Sequence, residues 1–448
     1  MNTPRPDTTA SPAGHTTLLN KDFLLLWQGQ TVSSVGTSLF QIALLYWLLE
    51  ASGSATVMGL VSMLGALPGI ILGPFGGAIA DRFSRKTLIV VGDLILGVAM
   101  LSLALPFFVL DASVEVKIAW IVTVSMTTGV VSAFFRPAVT AAIPNLVPFS
   151  QLQRANAMNS VSMTASMSLG QAAGGVLYRM LGAPWIMVIN GVTYLLSALS
   201  EMFIHVPQEK PERIRSWRAL GRAFIDDIVT GLKYVWGRAG LRNMMLAFAL
   251  LNVVTAPLSV LMPILLSKFL MLPADWFGYL MAAMGLGNLI GMMLAGIVTV
   301  DGRARFVCAL SALYVLAISN LIFGLVGNPY LLLCTNLLAG IFLGIMMVTF
   351  TTLMQATTPD EIRGRVSSVM MTVMMGSAPL AMGFAGVLAD LVNQNIPLLF
   401  VCAGILAMVV VTGMALNRPY RDFLSTRLVT MGGSPSMTSN SAVAKTVE

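Results

Sequence analysis

The residues best placed to do chemistry gather between Gly65 and Lys86, GALPGIILGPFGGAIADRFSRK. One carboxylate, Asp81, is followed at once by Arg82, Arg85 and Lys86. A tight hairpin between two membrane helices needs cations on its cytoplasmic side but does not require the acid. Glycines precede Asp81 at 65, 69, 73 and 77, and the next step of four lands on Asp81 itself. Positions four apart share a helix face. The stretch therefore predicts a helix with a groove free of side chains, ending in a carboxylate. Such a groove lets a neighbouring backbone approach closely, which is how helices pack where lipid offers no hydrophobic drive. On this reading Gly69 and Gly73 have no room for branched side chains.

Asp93 is the second candidate. It lies six residues past Thr87, about 9 Å along a helix, inside an apolar run where a charge is costly and usually functional. Two readings stand side by side. In one, Asp93 pairs with Arg85 or Arg82 and anchors the hairpin. In the other, it alternates between holding and losing Arg85, taking up a proton in one state and releasing it in the other. Glu50, at the far end of the first apolar run, reads as a headgroup-level loop residue and stands second as a proton site. Glu201 is expected to pair with a loop cation, and Arg136 to act as a topological anchor. Asp390 is a marginal further acid. His15 and His205, the only histidines, fall outside the apolar runs.

Familiar catalytic patterns are missing. There is no Gly-x4-Gly-Lys-Ser/Thr loop for ATP, no HExxH and no GxSxG. Cys308, Cys334 and Cys402 sit singly in apolar runs, as small packing residues rather than a disulfide framework or metal site. An enzyme, a cofactor and a bound metal are not expected.

The elements that position these residues follow from composition. Of 448 residues, 56% are hydrophobic and 10% charged, against about 25% charged in soluble domains. Twelve runs long enough to span a bilayer can be drawn: 23–49, 56–80, 87–110, 117–135, 155–178, 184–204, 243–269, 276–299, 306–326, 330–355, 367–390 and 396–416. With a cytoplasmic N-terminus, only Lys117, Arg179 and Lys268 of the 26 Lys and Arg fall outside, so both termini are expected in the cytoplasm. The net charge of +7 is then loop topology and not a nucleic-acid surface. Trp47, Trp120, Trp185 and Trp276 form the outer aromatic belt. The chain divides into a disordered arm (1–19), a six-helix bundle (20–204), a cytoplasmic linker (205–242), a second six-helix bundle (243–416) and a tail (417–448). In the linker, Leu220, Phe224, Ile228, Leu232 and Val235 recur at helical spacing, predicting an amphipathic helix on the inner membrane face.

The halves repeat. Pro148, Arg154 and Gly175-Val176-Leu177 match Pro359, Arg365 and Gly386-Val387-Leu388 at an offset of 211. Gly59 and Gly77 match Gly278 and Gly296 at 219, and after one inserted residue Asp81 and Arg85 match Asp301 and Arg305. A duplicated six-helix unit is the mark of a rocking secondary transporter with its site between the halves.

Gly77-x3-Asp81-Arg82-x2-Arg85-Lys86, between runs two and three of twelve, resembles the signature loop of the major facilitator superfamily. FFRPAVTAAIPNLVPFSQLQRANAMNS, residues 134–160, resembles its branch of drug, macrolide and siderophore exporters, the drug:proton antiporters. Gly170-Gln171-Ala172-Ala173-Gly174-Gly175 is similar to the antiporters' fifth-helix motif. Ser84 stands where the loop usually has Gly, Gln171 where the helix motif has Pro, and the fourth run lacks a mid-membrane Arg. The resemblance implies an all-α membrane fold with two pseudo-symmetric six-helix bundles. It also implies a gating loop (Gly77, Asp81, Arg82, Arg85, Lys86) that closes the cytoplasmic side when the transporter faces outward, with Asp81 facing the start of the eleventh helix near Ser367 and Ser368, a contact that the inward-facing state would break. Its cavity is lined by runs one, four, seven and ten, here offering Gln30, Ser34, Gln41, Met126, Thr127, Asn252, Asn336, Met346, Met347 and Thr351. None is an acid or base. With 31 Met in the chain, including Met370, Met371, Met374 and Met375, the surface suits many apolar shapes. The expectation is a monomeric, multi-pass carrier of the cell membrane, exchanging protons for hydrophobic or amphiphilic small molecules. Uptake by the same fold, a lipid or lysolipid flippase, and a non-transporting receptor or scaffold are the alternatives.

Overall fold

A computed structural model describes residues 17–208, 217–297 and 302–425. The arm before Thr17, the tail after Ser425, and Asp301 lie outside the described residues, as do the side chains of Leu220, Phe224, Ser368, Met371, Met374 and Met375. The helices are α1 (Lys21–Ser52), α2 (Ala55–Ala80), α3 (Arg85–Ser102), α4 (Leu105–Phe108), α5 (Val114–Leu146), α6 (Leu152–Glu201), α7 (Trp217–Trp236), α8 (Ala239–Ile264), α9 (Asp275–Ile297), α10 (Arg303–Leu325), α11 (Pro329–Thr357), α12 (Asp360–Leu391), α13 (Ile396–Leu416) and α14 (Arg418–Leu424). Several begin where a small polar side chain meets an apolar run. Asn20, Ser54, Ser84, Asn328, Asn395 and Asn417 each accept a first-turn N–H, filling donors a helix start leaves open.

Among the described residues, ten stretches are long and apolar enough to cross a membrane, and Gly376–Leu391 of α12 is a shorter apolar one. One of the ten, which includes α6, breaks at Gly182 into two arms. Twelve spans result, in two bundles of six. Gly182 has φ 75° and ψ 167°, a conformation essentially reserved for glycine, and Pro184 follows it. Helices extend beyond the expected ends: α5 reaches Leu146 and α8 starts at Ala239, where half-buried Asn145 and Asn243 find partners in the Pro207 carbonyl and Asn417.

Two ends of the molecule differ in their packing. We call the end holding Asn20, the Asp81 turn and the α6–α8 connection the linker end, and the opposite one the far end. At the far end a single apolar core serves both bundles, with Leu48, Met58, Leu103 and Ile186 in the same cluster as Ile264, Phe277, Leu280 and Phe400. At the linker end there are two separate cores. One, with Phe23, Ile89 and Leu146, belongs to the first bundle. The other, with Met244, Val366 and Val411, belongs to the second. Burial of apolar surface drives association, so the halves are joined at the far end and parted at the linker end.

The α7 helix, Trp217–Trp236, docks on the second bundle. Ile228 and Val235 pack into that bundle's core, and Gly231 lies against the Arg365 carbonyl of α12 with no room for a Cβ. The predicted single stripe is split. Leu232 is exposed, together with Ile225, Val229 and Trp236, so a second apolar face runs along the helix. Cys334 and Cys402 are exposed and only Cys308 is partly buried, which corrects their reading as packing residues.

Candidate functional site: gate loop, buried acids and interhelical cleft

The Asp81 turn is built from a helix end and a helix start. Asp81 caps the C-terminus of α2, and Ser84 accepts the Thr87 N–H to start α3. Arg85 is held by three contacts. Its backbone N–H donates to Gln208 Oε1 at 3.0 Å, Nη1 to the Ala141 carbonyl at 2.9 Å, and Nη2 to Asp81 Oδ1 at 3.3 Å. Gln208 in turn donates to the Phe83 carbonyl. The first linker residues are thereby stapled to the gate loop, a link between residues more than 120 apart in sequence.

One expectation is corrected here. Arg85 is committed to Ala141 and Asp81, so it does not pair with Asp93, and none of the described ion pairs links Asp93 to Arg82 either. Asp93 is eight residues beyond Arg85, roughly 12 Å along the axis, too far for a bonded pair. Nor do the described contacts join Asp81 to the start of α12. Its side chain is 69% exposed, with Arg85 as its salt-bridge partner. Gly77, one turn earlier, faces open space, with no neighbour within 4 Å of where a Cβ would stand. The opening of the linker end accounts for both.

The glycine groove also divides. Gly65 and Gly69 face Ser125 and Gly129 of α5, and Gly76 abuts the Ala133 carbonyl. Gly73 and Gly77 face open space, which corrects the expectation that Gly73 is tightly packed. A step of four residues advances roughly 40° around a helix of 3.6 residues per turn, so the row winds off α5 and onto the open side. We expect Asp81→Asn to fold normally, because an exposed pair is worth less than about 1 kcal/mol, and to transport several-fold more slowly once closure of the linker end needs that charge. Wild-type flux from a well-expressed Asp81→Asn protein in proteoliposomes would remove the loop's charge from the gating cycle.

Asp93 on α3 is fully buried, and so is Glu201 at the end of α6. Glu201 does not take a loop cation. Its Oε1 accepts from Gln30 Nε2 of α1 at 2.8 Å. No hydrogen bond reaches either oxygen of Asp93, Glu201 Oε2 or Ser197 Oγ. Asp93, Ser197 and Glu201 nonetheless lie within electrostatic reach of one another. One turn further along α6 from Ser197 is Tyr194, whose hydroxyl meets Thr37 Oγ1 at 2.8 Å, and beyond it Asn190, buried with both amide atoms unpartnered. Two carboxyl groups thus share a buried polar pocket with neutral partners between α1, α3 and α6. Close helix packing at Gly29 on Ser197, and at Gly36 on Asn190 and Thr193, builds this wall. Gln30 was expected in the substrate cavity and instead anchors Glu201. Glu50 is exposed at the end of α1. Arg136 is exposed on α5.

The other cavity candidates are spread along the helices. Thr127, Asn252 and Thr351 bond to carbonyls four residues back on their own helices. Ser34 is half-buried and Gln41 exposed. Met126 and Met347 are exposed, and Met346 packs on the second bundle's core. Asn336 is buried with its amide nitrogen unpartnered. A cleft of about 160 Å³ opens instead between α6 and α9. Met167, Ser168 and Gln171 line one side, and Met281, Met284 and Asn288 the other. Thioethers and amides in one wall suit an amphiphilic guest. Of these only Gln171 stands out in the sequence, as part of a motif. The rest escapes a reading centred on runs one, four, seven and ten, although Gly285 opposite Ser168 is the kind of small residue that marks a helix crossing.

A family model described as Major Facilitator Superfamily matches residues 26–382 and 256–422. The chain belongs to the major facilitator superfamily. It is therefore a multi-pass membrane transporter, and the twelve-span, two-bundle architecture is that family's. Macrolide efflux protein A of Streptococcus pyogenes is 25% identical over 376 residues, covering 83% of this chain and 90% of that protein. The multidrug efflux pump Tap of Mycolicibacterium fortuitum is 24% identical over 378 residues, covering 82% and 89%. Among solved structures, a bacterial homologue of the human lysosomal transporter Spinster, inward-facing and unoccupied, superposes with a TM-score of 0.67 at 16% identity, covering 92% of this chain and 98% of that one. The nucleoside transporter NupG gives 0.65 at 12% identity, covering 88% and 98%. At such identities these two structures speak to the fold alone.

Proposed function

We propose that this transporter exports hydrophobic or amphiphilic small molecules of the macrolide and drug type in exchange for protons, by alternating access. Efflux relatives that align along more than four-fifths of the chain support export. The observation that carries proton exchange is the pocket holding Asp93 and Glu201. Both are fully buried, and the described ion pairs include neither. A buried acid without a cation is costly as an anion, so a group in that position changes charge only as a proton arrives or leaves. The linker end is the cytoplasmic one in this reading, since by chain order all but three of the cations belong to loops and termini on that side. Each of those three has a specific partner at the far end: Lys117 lies over the Phe107 ring, Arg179 pairs with Asp275, and Lys268 donates to Gln394. The linker end, parted as it is, receives substrate from the cytoplasm or inner leaflet. The carrier works as a monomer in the cell membrane, with both termini inside.

Expression in a strain stripped of its own pumps tests the reading. Resistance to macrolides or lipophilic cations should rise several-fold, and vesicles loaded with a pH dye should report proton movement when substrate is added. Unchanged susceptibility across a broad panel would remove the drug-export assignment, and substrate flux without proton movement would remove the exchange.

A further inference from the structure

The far-end seal is built twice from matching parts. Gly175 lies against the Ala274 carbonyl and Asp275, and Gly386 lies against the Ala55 carbonyl and Thr56. Gly278 lies against the carbonyls of Ala172 and Gln171, and Gly59 against that of Met382. The repeat offsets of 211 and 219 convert each contact into the other: Gly175 into Gly386, Ala274 into Ala55, Gln171 into Met382. Four residues past each of the first pair stand Arg179 and Asp390, equivalent positions with different chemistry. Arg179 Nη2 reaches Asp275 Oδ2 in the first turn of α9 at 3.0 Å, crossing from one bundle to the other. Asp390 makes the reciprocal crossing without a cation. Its Oδ2 accepts from Ser54 Oγ at 2.6 Å and Thr56 N–H at 2.8 Å, and its Oδ1 from Ala55 N–H at 3.2 Å and Gln394 Nε2 at 2.8 Å. A carboxylate on the first turn of a helix is favoured by the open donors and the helix dipole.

Gln394 extends the contact. Its Nε2 also donates to the Gly53 carbonyl at 2.7 Å, and its Oε1 accepts from Lys268. It is aimed there by Asn393 and Gln394, two successive non-glycine residues with φ of 54° and 56°. Such backbone is sparsely populated and is retained where the surroundings hold it. At the linker end the same helix pair would meet with roles exchanged: Asp81 ends α2, and the start of α12 is the free N-terminus, but there the acid is exposed. The α2–α12 pair therefore carries one carboxylate latch at each end, and only the far one is closed.

We propose that Asp390 is a positioning residue of the transport cycle, the far-side latch whose seat on the α2 N-terminus holds the two bundles together in this state and is vacated when the far end opens, with Arg179–Asp275 as its pseudo-symmetric mate. The inference holds for any substrate or coupling ion, and rests only on the chain being a rocking transporter.

The test is a pair of spin-label distances in protein whose three native cysteines have been replaced. Leu110→Cys with Gly327→Cys reads the far end, and Phe83→Cys with Arg418→Cys reads the linker end. In Asp390→Asn the ratio of closed to open far ends should fall about tenfold, the loss expected when a hydrogen-bonded charge is neutralised. The linker-end distance should shorten in step, and Asp390→Glu should restore part of the closed population. A merely structural role would broaden the far-end distances without shortening the linker end, and that result overturns the proposal, as do distributions unchanged from the parent. Should Asp390→Asn fail to fold, Ser54→Ala and Gln394→Ala carry the same test. Each removes one donor to Asp390, Ser54→Ala together with the α2 cap and Gln394→Ala together with the Gly53 and Lys268 contacts, and each should shift both distances in the same directions by a smaller factor; no shift in either overturns it.

Discussion

Asp93→Asn is expected to yield a folded protein that no longer exchanges protons for substrate. The carboxyl oxygens of Asp93 take no hydrogen bond in the described state, so an amide of nearly the same shape replaces them without breaking a contact, and thermal stability in detergent should stay near that of the parent. What is lost is a group able to change charge within the pocket. Glu201→Gln should behave similarly for protons but with a structural penalty, because Gln30 Nε2 donates to Glu201 Oε1 and an amide can turn the wrong end toward it. That mismatch costs about 1–3 kcal/mol for a buried group. Proton uptake measured in vesicles on addition of substrate checks both, and a wild-type proton-to-substrate ratio in Asp93→Asn would make it a structural residue. Should both variants keep that ratio, the coupling group lies at Glu50 or outside protons altogether.

Gly129→Leu is expected to abolish assembly of the first bundle. A Cβ at Gly129 would run into the Gly65 carbonyl, with Pro68 close behind, so the clash is with backbone that cannot rotate away. Overpacking of this kind costs on the order of 3 kcal/mol or more, a large share of a typical folding free energy. Gly73→Leu is the contrasting case. Nothing lies within 4 Å of its Cβ position, so the variant should fold, yet place a branched side chain where the linker end must close. Gly129→Leu should appear as lost monodisperse protein, Gly73→Leu as normal protein with flux reduced at least about tenfold. Equal thermal stability of Gly129→Leu and the parent would contradict the packing account.

The helices are legible in the sequence because spans obey a length and polarity rule that needs no partner. The duplication shows through Gly175 and Gly386, which keep their identity because both seat against a carbonyl. The chemistry between helices is less visible. Gln30 and Glu201 are 171 residues apart, and no periodicity links them. Arg85 looks free for Asp93 because a linear reading cannot see the Ala141 carbonyl that takes its guanidinium. The glycine row reads as one packed face, because spacing of four does not reveal its slow winding from α5 to open space. Asp390 is within reach: the offset that maps Gly175 onto Gly386 also maps Arg179 onto Asp390, but a swap from base to acid hides the equivalence from a search for identities.

The corner at Gly182 has a mechanical consequence. Spans five and six, within Leu152–Glu201, meet at the one non-helical residue Gly182 with no longer loop between them. One arm carries Gly175 and Arg179 at the seam between the bundles, and the other carries Asn190, Ser197 and Glu201 in the buried pocket. Helical arms are stiff over this length, and the pivot is a glycine, held here in a conformation that other residues essentially do not adopt. Seam and pocket are thus separated by a single hinge, and the two can shift relative to each other along this element only through the torsions at that corner.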